Sequence, residues 1–131
     1  MTDPIHQEVA LNAAPAKVYA ALTEAARFAQ VTGAPATMES SAGAAFSLFG
    51  GMIEGRNIEL ASGKRIVQAW RAKNWPAGRY SLITFDLLPD GSGTKLVFDQ
   101  CGFPDADRVH LDAGWHKMYW EPLRQYLAGN T

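Results

Sequence analysis

Residues 5–11 alternate along the chain, with Ile5, Gln7, Val9 and Leu11 on one side and His6, Glu8 and Ala10 on the other. This is the period-two pattern of a half-buried strand, made imperfect by Gln7. The spacing then lengthens to that of helices. Pro15 stands where a first helical turn accepts proline, Val18, Tyr19 and Leu22 form one apolar stripe, and Thr23 is placed to cap a second short helix running to about Gln30. From Ala44 onward the pattern returns to strands, punctuated by Gly50-Gly51, by Ala61-Ser62-Gly63 and by Pro89 through Gly93. Five strands in series are predicted, over 44–49, 52–60, 64–71, 80–88 and 94–101, and only the 73–78 connection lacks a tight turn. Beyond Pro104, Asp105 or Asp107 is placed to cap a long final helix whose apolar positions are Leu111, Trp115, Met118, Pro122 and Tyr126, ending near Gly129. Pro122 removes one backbone hydrogen bond at a cost of about 3 kcal/mol unless the helix deforms, which predicts a bend near Tyr119. The order of elements is that of an α+β fold. A curved antiparallel sheet of about six strands has two short helices at one end and the long helix across its concave face, with room for a cavity between them.

Alternation on the strands decides which side chains would meet that helix. Phe46 and Leu48, then Gln68 and Trp70, then Ile83 and Phe85, then Phe98 and Gln100 share the concave face, and Trp115, Met118 and Tyr119 would approach from the helix. Such an aromatic lining has two readings, a solid core or a cavity for an apolar small molecule. The amides of Gln68 and Gln100 sharpen the choice. Each needs a hydrogen-bond partner or costs about 1–3 kcal/mol, and a pocket water, a ligand or the core itself could supply it. His110, at the entrance end of the helix, is a candidate polar group at the cavity mouth. Trp75, followed by Pro76 in the irregular connection, is a candidate rim or partner contact, the alternative being that it plugs the sheet edge.

The 131 residues fit a single domain over 1–131 and leave no room for a second. Twelve Lys and Arg against thirteen Asp and Glu give a net charge of -1, with no basic excess to neutralise nucleic-acid phosphates. No apolar stretch approaches the roughly 20 residues of a bilayer crossing, and the start is polar, so no membrane partner and a cytoplasmic location are expected. Cys101 is the lone cysteine and suits a reducing compartment. His6, His110 and His116 lack zinc spacing, Gly50-Gly51 belongs to no phosphate-loop motif, and no Gly-x-Ser-x-Gly elbow is present. No metal and no catalytic set are therefore expected. Were the cavity an enzyme's, His110, Tyr119 and Asp99 would be the candidates for proton transfer, whereas Asp112 and His116, four apart, read as a solvated surface pair.

Several runs carry a family resemblance: Phe46-Ser47-Leu48-Phe49-Gly50-Gly51-Met52-Ile53-Glu54-Gly55, then Gly63 through Arg71, then Asn74-Trp75-Pro76-Ala77-Gly78-Arg79-Tyr80-Ser81. Gly93-Thr94-Lys95-Leu96, Gly102-Phe103-Pro104 and Gly114-Trp115-His116-Lys117-Met118-Tyr119-Trp120 continue it. In this order they resemble the C-terminal-type domain of activators of the 90-kDa heat-shock chaperone's ATPase, members of the START-like, helix-grip superfamily. The resemblance implies a helix-grip fold with a hydrophobic cavity, no obligatory cofactor and a stress-response setting. It also implies, as in the eukaryotic relatives, a chaperone contact that stimulates ATP hydrolysis. Those relatives carry a separate N-terminal domain, for which this sequence has no room. The expected function is that of a non-enzymatic binding protein for an apolar small molecule. The alternatives are a co-chaperone-like stimulator and a cavity enzyme of cyclase or hydrolase type, and a homodimer could form if an edge strand such as 94–101 paired with its copy.

Overall fold

The computed structural model describes residues 3–129. Seven strands form one antiparallel sheet: β1 (Ile5–Leu11), β2 (Thr37–Met38), β3 (Ala45–Leu48), β4 (Ile53–Ala61), β5 (Arg65–Ala72), β6 (Ser81–Asp90) and β7 (Gly93–Cys101), in the spatial order β1-β7-β6-β5-β4-β3-β2. Helices α1 (Pro15–Thr23) and α2 (Ala25–Thr32) follow β1. At the other end of the chain α3 (Arg108–Trp115), a π-helical turn (His116–Trp120) and α4 (Glu121–Gly129) run on as one helix. The predicted α+β architecture is thus present, its curved sheet gripped by a long C-terminal helix.

The departures are local and have physical causes. The two-residue β2 is too short to show any alternation, so the sheet has seven strands where about six were expected. Strand 94–101 is no edge. Residues Ile5 to Leu11 return from the start of the chain to pair along the whole of β7, which is flanked on its other side by β6, so β1 and β2 are the edges. Pairing of β7 with its copy is therefore ruled out, because both sides of its backbone ladder are already occupied. Thr23 does not cap α2: its hydroxyl donates to the Tyr19 carbonyl within α1 at 2.8 Å, and Glu24, in extended conformation, separates the two helices. Asp107 does precede α3, but makes no side-chain capping bond. The irregularity expected from Pro122 falls in the turn before it, as a π segment.

Outward and inward faces of the sheet separate cleanly. Ile5, Val9 and Leu11 are buried and carry Gln7 inward with them, whereas His6 and Glu8 face out. On β4 a bulge between Asn57 and Glu59 interrupts the alternation, so Asn57 and Leu60 face the helix while Ile58 and Glu59 both face away.

Candidate functional site

Strand register assembles the concave face. Phe85 lies opposite Phe98, Ile83 opposite Gln100 and also Gln68, and Trp70 opposite Ser81. The helix answers with three aromatic side chains, Trp115, Tyr119 and Trp120, which are all buried. A regular α-helix advances about 100° per residue, which would turn Trp120 about 140° away from Trp115. The i→i+5 turn corrects this, and the Glu121 N–H bonds to the His116 carbonyl so that Trp120 comes back over the sheet beside Tyr119. Pro122, which has no N–H, is the sequence feature that favours this longer turn.

The rings interdigitate. Trp115 lies 4.2 Å from Phe98, 4.3 Å from Tyr119 and 5.2 Å from Trp70, centroid to centroid. Three indole hydrogen bonds tie helix to sheet inside this cluster. The Trp115 Nε1–H donates to Gln100 Oε1 at 2.8 Å, the Trp70 Nε1–H to the Tyr119 hydroxyl at 3.2 Å, and the Trp120 Nε1–H to Gln7 Oε1 at 2.6 Å. The amides are satisfied from within the chain. Gln100 Nε2 donates to Ser81 Oγ at 3.0 Å, Ser81 donates to the Trp70 carbonyl at 2.7 Å, and Gln68 Nε2 donates to Asn57 Oδ1 at 3.0 Å. Gln7 Nε2 reaches both the carbonyl and the carboxylate of Asp112 at 3.0 Å. Among the described residues no buried side-chain nitrogen or oxygen lacks a partner. Burial raises the Tyr119 phenol well above its ordinary value, an effect that the Trp70 hydrogen bond only partly offsets.

Of the predicted cavity residues, Phe46, Leu48, Gln68, Trp70, Ile83, Phe85, Phe98, Gln100, Trp115 and Tyr119 are brought together in this buried layer. His110 and Met118 are not. His110 is exposed on α3, and Met118, 44% exposed, is turned outward by the same π turn that brings Trp120 in. Trp75 is buried at 6% and packs edge-on to Trp70 at 5.8 Å, so it plugs the structure instead of standing at a rim. Arg71 explains why: its guanidinium donates to the Trp75 carbonyl at 2.7 Å, the Pro76 carbonyl at 3.2 Å and the Glu54 carboxylate at 2.6 Å, folding the 73–80 loop back. Asp99 lies on the opposite face of the sheet, where its carboxylate meets His6 Nδ1 at 2.6 Å.

Sequence reasoning missed Trp120, Gln7, Phe28 and Phe49. Phe49 has a φ of 54°, a conformation costly for a residue with a side chain, and its ring sits 5.7 Å from Phe28 and 5.6 Å from Tyr119 at one end of the layer. Two open grooves lie elsewhere. One, of about 430 Å³, is on the outer face of the sheet beside Ala45, Arg56, Ile58, Ala69 and Tyr80, and another, of about 510 Å³, runs between α2 and α4 past Gln30, Lys117, Glu121 and Tyr126. Neither is lined by Trp70, Phe98, Trp115 or Tyr119. Among the described residues no group of His, Cys, Asp and Glu is arranged to hold a metal ion, and no helix is long and apolar enough to cross a membrane.

A sheet gripped by a long aromatic helix is shared with known proteins, and the sequence match is specific. The family model described as "Activator of Hsp90 ATPase homolog 1-like protein" matches residues 12–128. The chain belongs to this family. "Activator of 90 kDa heat shock protein ATPase homolog 1" from Homo sapiens is 31% identical over 111 residues, 85% of this chain and 33% of the human protein. The homolog from Dictyostelium discoideum is 33% identical over 93 residues, 70% of this chain and 24% of that protein. The chain thus spans a third or less of the length of these curated relatives. Among solved structures, an HSP90 activator from Plasmodium falciparum superposes with a TM-score of 0.88 at 22% identity, over 97% of both chains. The Aha1 dimer from Colwellia psychrerythraea gives 0.82 at 19% identity over 96% of both. At these identities the structures establish the helix-grip fold of this activator-like chain.

Proposed function

We propose that this activator-like chain works as a protein-binding module that raises the ATP turnover of a 90-kDa heat-shock chaperone by surface contact. One observation supports the reading: the chain's own aromatic rings pack between sheet and helix, and the amides among them are bonded to the chain's own groups, which favours recognition on the outside of the fold. Membership of the activator-like family supplies the kind of partner. A non-enzymatic role accords with the scattered placement of the proton-transfer candidates. Tyr119 is held protonated by burial, Asp99 is on the outer face and His110 is in solvent. A cytoplasmic location is part of the same proposal. The test is chaperone ATP turnover titrated with the purified chain. A saturable rise is expected, and an unchanged rate at saturating protein would overturn the reading.

A second reading, binding of an apolar small molecule within the aromatic layer, is favoured by the backbone of Phe49. A strained residue whose ring seals one end of the layer against Phe28 and Tyr119 is a place where the interior could open. Native mass spectrometry of the chain purified from its own host tests this reading. A retained apolar molecule, lost in a folded Phe98→Ala or Trp70→Ala variant, supports it, and retention undiminished by both substitutions removes it.

A further inference from the structure

Nearly all the strand charges on the outer face of the sheet are paired within the chain. Lys95 bridges to Glu8, which with Asp99 flanks His6; Arg65 meets Asp86; and Arg71 meets Glu54. Arg56 and Glu59 differ. Both are exposed on the outer side of β4, and among the described residues neither has an ion-pair partner. Arg56 donates one bond to the Gly43 carbonyl at 2.6 Å, which leaves most of its guanidinium edge open.

Between these two charges stands Ile58, 50% exposed, turned outward by the β4 bulge. It belongs to an apolar patch that the register makes continuous. Arg56 lies opposite Ala69, and Ala69 opposite Leu82, while Glu59 lies opposite Val67 in the next outward row. Leu82 is 45% exposed and Tyr80 46%. Beside Ile58 the sheet surface dips into the groove of about 430 Å³, bounded by Arg56, Ala69 and Tyr80. An exposed apolar patch of this kind, rimmed by charges, marks an interaction surface.

We infer that this outer face is a two-fold interface with a second copy of the chain. A two-fold contact presents the same patch from both sides, so the patch must complement itself. This one does. With the axis passing close to Ile58, Arg56 meets the partner's Glu59, Glu59 meets the partner's Arg56, and the Ile58 ridge of each copy enters the other's groove against Ala69 and Tyr80. Arg56 and Glu59, unpaired beside Ile58, are of opposite sign and flank the ridge on either side, the arrangement that a two-fold axis converts into two ion pairs; Asp90, the other exposed strand charge without an ion pair among the described residues, lies at the far end of β6. The bulge has a role in this geometry, because regular alternation would have turned either Ile58 or Glu59 inward. This inference is separate from the chaperone reading and does not rest on it.

Sedimentation equilibrium of the full chain, run up to about 1 mM, provides the test. The wild type is expected to show a monomer–dimer equilibrium. Arg56→Glu and Glu59→Arg each bring like charges together twice per dimer and are expected to weaken association at least about tenfold. The double variant carrying both changes restores opposite charges across the axis and should return close to the wild-type constant. Ile58→Asp and Leu82→Asp, at exposed positions, should be monomeric while keeping the wild-type circular dichroism spectrum. A wild type that is monomeric throughout overturns the inference, as does a dimer indifferent to all these changes or a double variant as weak as the single ones. If Ile58→Asp leaves the association state unchanged and abolishes stimulation of the chaperone, the face belongs to the chaperone and the inference fails while the proposed function stands.

Discussion

The indole of Trp115 and the side-chain amide of Gln100 meet inside the protein, with Nε1–H donating to Oε1 at 2.8 Å where helix α3 crosses strand β7. Gln100 is fully buried and donates from Nε2 to Ser81, so a single amide joins the helix to two neighbouring strands. Replacing Gln100 by Leu should destabilise the fold by about 1–3 kcal/mol, because the Trp115 N–H and the Ser81 hydroxyl both lose a buried partner. Combining it with Trp115→Phe removes the stranded donor as well. The two changes together should therefore cost less than the sum of the separate ones in urea unfolding.

The π turn makes opposite demands of two adjoining regions of the helix. Trp120, fully buried and bonded to Gln7, should cost about 3–5 kcal/mol when replaced by Ala. Met118, two positions earlier and 44% exposed, should cost less than about 0.5 kcal/mol. Equal losses at the two positions in chemical denaturation would contradict a turn that carries Trp120 inward.

Two glycines should respond to alanine in opposite directions. A Cβ on Gly55 would lie 1.9 Å from the Ala69 carbonyl oxygen and 2.6 Å from the Phe46 ring, a clash with backbone that small shifts cannot relieve. Gly55→Ala should therefore lower the melting temperature steeply or prevent folding. On α3, a Cβ at Gly114 meets nothing within 4 Å, so Gly114→Ala should stabilise the helix by about 0.5–1 kcal/mol. Thermal unfolding of the two variants side by side checks both signs.

Proton linkage should be visible at the outer edge of the sheet. Hydrogen bonds donated by His6 to the Glu8 and Asp99 carboxylates raise its pKa above the ordinary 6.5. His6 therefore binds its proton more tightly in the folded chain, and the stabilisation it adds is fully present below that ordinary value and lost as pH rises through the folded one. Glu8 behaves oppositely, its carboxyl lowered by His6 and by Lys95, so its contribution is present above the ordinary glutamate value and fades as pH falls through the depressed one. His6→Gln should flatten the stability profile on the alkaline side of pH 6.5. Titration of His6 by proton NMR should give a value above 6.5, and an ordinary value would show that the contacts with Glu8 and Asp99 do not hold in solution.

Hydrophobic periodicity and turn residues were enough to place β1, the meander from β3 to β7 and the long final helix within a residue or two, because these features are local. Pro122 even marked where the helix would deform. Local pattern also drew ten side chains onto one buried layer, from Phe46 to Tyr119, through the two-residue repeat of strands and the helical stripe. Tertiary structure decided the rest. Whether Gln68 and Gln100 would bond within the chain or to something from outside depended on Asn57, Ser81 and Trp115, residues up to 19 positions away in sequence that only the sheet register and the packing of the helix bring close. The inward turn of Trp120 and the outward turn of Met118 follow from one extra residue in one helical turn, a phase change invisible to a fixed 3.6-residue period. That β7 lies inside the sheet was set by β1, which returns from the far end of the chain, and a long-range pairing of this kind leaves no mark in the alternation of either strand.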